Sequence, residues 1–372
     1  MSRTDLDAWG WSGRVAACWE TFADGNAEHV RPGRVVAEHR GAWDVVTPAG
    51  TLRAGISGAL RREAVTGGDS PAVGDWVAVR DGAGGPVAVP STIVEILPRR
   101  SVFVRREPGR AAAGQVVAAN VDTVLLVTAV GRDVNPRRLE RYLAVAWASD
   151  AAPVVVVNKA DLRDGLADAL RVAGRVAGGA PLVAVSARSG EGLESLAAHL
   201  GPGVTVALLG SSGVGKSSIV NALLGEERLD TGGVRADDDR GRHTTTTRML
   251  LRLPGGACLL DTPGMRELGM AGGETDGALD VAFADVVSIA ESCRFADCAH
   301  ESEPGCAVRR AVDDGTLAAA RLESHRKLVR EARATAARLE ARGRADERRE
   351  TKRRGIAYKE IHRAKYGGDR ER

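Results

Sequence analysis

Aromatic side chains make up only 3% of the 372 residues. A large core built here must therefore rest on Val, Leu and Ala. No apolar run approaches the roughly 18 residues that would cross a bilayer, and Met1-Ser-Arg-Thr-Asp-Leu-Asp7 has no hydrophobic signal region. A soluble cytoplasmic protein is the expectation. Five cysteines are too few for a disulfide scaffold, and three of them cluster with a histidine, which suits a reducing compartment and a metal. The net charge of +3 hides an asymmetry: residues 321–372 carry 18 Lys+Arg against 9 Asp+Glu, leaving 34 against 40 for residues 1–320. A basic tail on a mildly acidic body suits either a polyanionic partner or a solvated helix.

What is abundant is glycine, and its placement is informative. Gly210-Ser211-Ser212-Gly213-Val214-Gly215-Lys216-Ser217 follows the apolar run 204–209 and precedes Ser218 and an apolar stripe ending at Gly225. Strand, glycine-rich turn and helix, in that order, make a phosphate-binding loop, whose backbone N–H groups turn toward an anion at a helix N-terminus. Lys216 is expected on the β- and γ-phosphates, with the Ser217 hydroxyl on Mg²⁺. Asn158-Lys159-Ala160-Asp161 ends another apolar run, 154–157. There Asp161 can accept two hydrogen bonds from the N1–H and N2 edge of guanine, a pair that adenine lacks. Lys159 would cover the base and Asn158 would brace the loops. A third predicted strand, 181–185, leads into Ser186-Ala187, where a backbone N–H could meet guanine O6.

Asp261-Thr262-Pro263-Gly264 ends a fourth strand, with its carboxylate placed to reach Mg²⁺ through water and the Gly264 N–H to sense the γ-phosphate. The polar stretch 229–247 occupies the position of a first switch. Thr245 is expected on Mg²⁺, with Thr244 and Thr246 as neighbours. The acidic triplet Asp237-Asp238-Asp239 reads as solvated loop. Met265 stands where a glutamine would ordinarily orient the attacking water. His243 is the nearest substitute, either orienting that water or simply ordering the switch or facing RNA. Slow intrinsic hydrolysis, completed by a partner, is the expectation. The Asn-Lys-x-Asp and Ser-Ala motifs precede the phosphate loop, and in this order the chain resembles the circularly permuted GTPases.

Segments on either side extend the reading. Short β-rich pieces at 34–39, 43–47, 51–54, 75–79 and 92–97, parted by turn formers, predict a small closed barrel, most simply an OB-fold. The pairs Arg61-Arg62, Arg99-Arg100 and Arg105-Arg106 are candidates for phosphate contacts. Trp76 is either a stacking platform or core. Residues 1–30, with Trp9, Trp11 and Trp19, read as an arm or docking segment, and Glu107 to Gly114 as a linker. Cys293-x4-Cys298-x-His300-x5-Cys306 places three sulfurs and an imidazole within 14 residues, enough to close a tetrahedral structural zinc site. Helix-rich sequence follows. The expected division is an arm (1–32), an OB-fold RNA-binding barrel (33–106), a GTPase domain with a doubly wound sheet (115–272), a helical zinc domain (273–340) and a basic tail (341–372).

In combination, the motifs from Asn158 to Gly264, the segment Gly241-Arg-His-Thr-Thr-Thr246 and the Cys/His cluster are similar to the ribosome-small-subunit-dependent GTPase family. That resemblance implies binding of the small ribosomal subunit and its rRNA late in assembly, subunit-stimulated GTP hydrolysis, and release of other assembly factors. It covers roughly residues 33 to 330. An RNA-binding scaffold with a structural nucleotide site, or a permuted GTPase serving another ribonucleoprotein or a membrane carrier, are the alternatives. No basic amphipathic helix with an aromatic face favours the membrane. A monomer is expected. The short connection 270–276 predicts that the second switch pulls on the zinc domain.

Overall fold

The computed structural model describes residues 4–26, 30–66, 70–82, 90–105, 115–131, 133–227, 248–261, 275–334 and 336–337. Two helices, α1 (Thr4–Asp7) and α2 (Gly13–Asn26), precede β1 (Val30–His39), β2 (Ala42–Thr47), β3 (Gly50–Ile56), α3 (Gly58–Thr66), β4 (Trp76–Arg80) and β5 (Ser91–Ile96). β1 pairs antiparallel with both β2 and β4, β2 antiparallel with β3, β3 parallel with β5, and β4 antiparallel with β5. The circuit therefore closes into the five-stranded OB-type barrel, with no free edge among these strands. Alternate residues point inward, so Val35, Trp43, Val45, Val77, Val79 and Ile93 fill the interior, joined by Leu60 of α3.

The N-terminal segment is not a free arm. Trp9, Trp11, Val15, Trp19 and Phe22 pack against Leu6, Val46, Trp76 and Leu97. The few aromatics are concentrated where helices meet the barrel, so the packing there does not rest on aliphatics alone. Trp76 is only 3% exposed. Its ring meets Trp11 edge to face at 5.1 Å and lies under the Arg34 guanidinium at 5.0 Å, so it belongs to the core and is no platform for a base. Arg99 is likewise occupied, because Asp75, fully buried, accepts from its Nε and Nη2 at 2.7 Å each. Arg100 pairs with Asp122 at 2.9 Å. Arg61 and Arg62 are exposed, as is Arg100 beside its ion pair. The Arg105 side chain, Arg106 and the segment 107–114 lie outside the described residues, but the strands on either side, β6 (Val102–Arg105) and β7 (Gln115–Ala119), pair as a hairpin.

The main sheet follows: β8 (Thr123–Ala129), α4 (Pro136–Ala148), β9 (Ala152–Asn158), α5 (Leu166–Val176), β10 (Leu182–Ala184), α6 (Leu193–Ala197), β11 (Thr205–Leu209), α7 (Lys216–Leu224), β12 (Met249–Arg252) and β13 (Cys258–Asp261). Its order is β10-β9-β8-β11-β13-β12, all parallel except β12. Strands buried on both faces need continuous apolar runs, and every residue of β8 and β11 is buried. β11, which leads into the glycine-rich loop 210–217, follows β9 and β10 in the chain, so the loops carrying Asn158 and Ser186 come before it, the order of a circular permutation. β12 then pairs with β1 (Ala37 opposite Met249), so the main sheet continues into the barrel.

Of the C-terminal helices α8 (Thr275–Ala282), α9 (Ala284–Ala290), α10 (Ala307–Asp313) and α11 (319–334), α8 packs on α4 and α11 is tied to α4 by ion pairs. Leu139 and Leu143 of α4 share one core with Leu279, Phe283, Val308 and Leu322. No helix among the described residues is long and apolar enough to cross a membrane.

Candidate nucleotide site and metal cluster

In-register parallel strands end together. Ala129 pairs with Asn158, Val157 with Ala184, Leu209 with Leu126, and Ala207 with Leu260. The loops after β8, β9, β10, β11 and β13 therefore rise from one edge, where such sheets hold ligands.

The phosphate loop owes its shape to two glycines. A Cβ at Gly210 would lie 2.4 Å from the Val127 carbonyl oxygen. Gly215, at φ +92°, would place one 2.3 Å from Asn158 Nδ2. Val214, 1% exposed, anchors the loop in the core. No side chain caps α7, so its first-turn N–H groups face the loop interior, a natural anion cradle. Ser217 and Ser218 sit half-buried in that turn, while Ser212 and Gly213 are exposed. Lys216 Nζ donates to the carbonyls of Gly210 and Ser211, at 2.7 Å each.

The second loop is joined to the first by side chains. Asn158, 2% exposed, donates Nδ2 to the Val214 carbonyl at 2.8 Å and accepts at Oδ1 from the Ala187 N–H at 3.2 Å. One buried amide thus ties three loops together. Lys159, at φ +63°, donates to the Gly213 carbonyl at 2.9 Å. The Ser186 hydroxyl donates to Asp161 Oδ1 at 2.7 Å, which fixes the carboxylate plane. An ionised carboxylate has about four acceptor positions, so capacity remains for a pair of donors. The Ala187 N–H is engaged by Asn158, so an incoming O6 would share it. Arg163 and Glu191 bridge the same two loops at 2.8 Å on the rim.

His243, Thr244, Thr245, Thr246, Gly264 and Met265 lie outside the described residues, as do the triplet 237–239, the tail 341–372 and the Asp261 side chain. The backbone of Asp261 ends β13. Sequence reasoning missed Asp133, in the loop after β8. It accepts from Ser211 Oγ at 2.6 Å and from Arg138 Nη2 at 2.7 Å. No motif marks that loop.

Cys293, Cys298, His300 and Cys306 bring their ligand atoms within 4.8 Å of one another. Cys293 and Cys306 Sγ lie 3.9 Å apart, and His300 Nδ1 is 3.7 and 3.5 Å from them. Bonds of zinc length imply tetrahedral edges of about 3.8 Å between sulfurs and about 3.5 Å from sulfur to nitrogen. The cluster therefore fits a closed four-coordinate ion. His300 sits at φ +61° and is buried. Burial, followed by the Arg326 charge, lowers its pKa and favours the neutral imidazole that ligates metals.

Sheet, permutation and converging loops define a circularly permuted GTPase. The solved structures agree. The chain aligns with YjeQ from Thermotoga maritima at a TM-score of 0.60 and 28% identity, covering 82% of this chain and 98% of that one. YloQ, described as a circularly permuted GTPase, gives 0.57 at 23% identity, covering 83% and 97%. The family model described as RsgA GTPase matches residues 96–271. A protein of Streptomyces coelicolor named small ribosomal subunit biogenesis GTPase RsgA is 46% identical over 366 residues, covering 98% of this chain and 96% of the relative. One of the same name from Opitutus terrae is 49% identical over 333 residues, covering 88% and 89%. The chain belongs to the RsgA GTPase family and is a GTP hydrolase.

Proposed function

We propose that this GTPase acts on the small ribosomal subunit during its assembly, binding rRNA and hydrolysing GTP to GDP and phosphate when the subunit completes the site. The observation that carries the nucleotide reading is the Asn158 amide, which joins the phosphate loop to both base-facing loops. In this reading Asp161, oriented by Ser186 and flanked by Lys159 and Ala187, selects guanine. Gly210 to Ser218 cradle the phosphates, with Lys216 leaving its two carbonyls for the β- and γ-oxygens. Mg²⁺ would be held by Ser217 and Thr245, with Asp261 reaching it through water, and would neutralise charge on the leaving diphosphate. Gly264 senses the γ-phosphate and His243 orients the attacking water. The small-subunit assignment is supported by the names of the relatives. It carries with it a cytoplasmic location, action as a monomer, and contact with other assembly factors.

The division of labour follows the same proposal: residues 33–106 contact RNA, 115–272 bind nucleotide, and 273–340 form a zinc-stabilised module. The Cys₃His set would hold one Zn²⁺ with no open coordination position, so the ion's role is structural. The test is GTP turnover with and without purified small subunits, for the parent and Lys216→Ala. Slow turnover alone, strong stimulation by subunits and its loss in Lys216→Ala are expected. Calorimetry showing ATP bound as tightly as GTP would reject the guanine assignment, and equal turnover with and without subunits the ribosomal one.

A further inference from the structure

One carboxylate at the nucleotide edge of the sheet has no part in the reading so far. Asp133 follows β8 and turns toward the phosphate loop. Its Oδ1 accepts from Ser211 Oγ at 2.6 Å, and its Oδ2 accepts from Thr128 Oγ1 at 3.2 Å. Arg138, in the first turn of α4, closes the arrangement by donating to Asp133 Oδ1 at 2.7 Å and to the Asp133 main-chain carbonyl at 2.6 Å. A bare carboxylate beside a polyphosphate site would repel the ligand. Paired with Arg138 it contributes little net charge, and what it retains is geometric: a fixed acceptor for the Ser211 hydroxyl at the edge of the phosphate loop. Ser211 is held twice, through its hydroxyl by Asp133 and through its carbonyl by Lys216. When Lys216 moves to phosphate, the carbonyl tie is lost and the hydroxyl tie remains.

We propose that Asp133 is a positioning residue of the GTPase reaction, acting through Ser211 to hold the phosphate loop in its anion-binding shape once Lys216 has left the loop carbonyls, with Arg138 screening its charge. This rests on the reading of 210–218 as the phosphate cradle.

The experiment compares GDP with GMP. Both present guanine and an α-phosphate, but only GDP presents the β-phosphate that the loop surrounds. Calorimetric titration of the full chain with each nucleotide, for the parent, Asp133→Ala, Asp133→Asn, Ser211→Ala and Asp133→Ala/Ser211→Ala, isolates that increment. A parent without GDP-over-GMP preference would defeat the phosphate-cradle reading itself, independently of Asp133. Given the preference, Asp133→Ala and Ser211→Ala should each weaken GDP about tenfold, the size of one charge-assisted hydrogen bond, and leave GMP within about twofold. The double variant should be no worse than either single one, because both remove the same bond. Asp133→Asn keeps an acceptor for Ser211 and should recover most of the GDP affinity. Unchanged or tighter GDP binding in Ser211→Ala and Asp133→Ala, a parallel loss of GMP, or multiplied effects in the double variant would overturn the proposal. Should Asp133→Ala fail to fold, Ser211→Ala decides alone, since it removes only a hydroxyl.

Discussion

The central sheet is joined to its two neighbours by different physics. On the N-terminal side the joint is main chain and buried charge. β12 pairs with β1, the Glu38 N–H donates to the Arg248 carbonyl at 3.2 Å, and Arg34, 1% exposed, reaches Thr205 Oγ1 at 2.6 Å and the Trp9 carbonyl. Close backbone contact accompanies it: a Cβ at Gly74 would stand 2.1 Å from the Ala119 carbonyl oxygen, and one at Gly10 2.4 Å from that of Gly203. On the C-terminal side helix lies on helix, locked by side chains. Arg321 donates to Glu140 at 2.8 Å, to Asp285 at 2.8 Å and to the Ala282 carbonyl at 2.7 Å, with Phe283 beneath it at 4.3 Å. Burial works against the Arg321 charge, but Asp285 and Glu140 outweigh it and raise its pKa. The first joint should unfold with the sheet, whereas the second can release as a unit. The lateral docking on α4 also means that the module with the Cys/His cluster does not hang from the connection 270–276 alone.

Four experiments would break or sharpen this contrast. Stripping the metal, by chelation or with Cys306→Ser, should have the largest effect, since structural zinc sites contribute roughly 10–16 kcal/mol in isolated peptides. Hydrogen exchange should lose protection across 284–313 while β8 and β9 keep theirs; collapse of both regions together would show that the joints do not differ. Arg321→Ala leaves Glu140, 3% exposed, as an uncompensated buried charge. It should cost about 3–5 kcal/mol of docking, read as faster exchange in α8–α11 with little change in the barrel. Gly74→Ala must strain a φ of +95° and displace backbone. A loss of about 3 kcal/mol is expected, in a single denaturation transition shared by barrel and main sheet; two separated transitions would contradict the continuous joint. Arg137→Ala removes a pair with Glu323 whose side chains are 57% and 66% exposed. No more than about 0.5 kcal/mol should follow, and less in high salt.

Legibility followed the range of the interactions. The Gly210–Ser217 loop could be read because its shape is local: glycines at fixed offsets, between an apolar strand and a helix that starts at Lys216. Asn158 and Asp161 were readable because each stands at the end of a run of valines. The barrel strands showed through their alternation, and the Cys/His spacing picked out four side chains whose ligand atoms converge. Arg34 was opaque, because its partner Thr205 lies 171 residues away and nothing near Arg34 distinguishes it from a surface arginine. Arg99 was mistaken for an RNA contact for the same reason, since its partner Asp75 sits 24 residues back. Asp133 belongs with these, bonded to a serine 78 residues downstream. The aromatic count misled by averaging, hiding a cluster that gathers α1, α2 and the barrel.

Strand β1 serves two assemblies. Its first half closes the barrel against β4, and after an irregularity between Val35 and Ala37 its second half meets β12. The barrel is therefore not an interchangeable cassette. A truncation that began near β6 would strip the cover from β12 and present unpaired peptide groups to any passing strand, the situation in which sheets stick to one another. A catalytic fragment cut that way should precipitate or dimerise edge to edge, and a useful shortened chain would have to keep β1 or blunt β12 with charge.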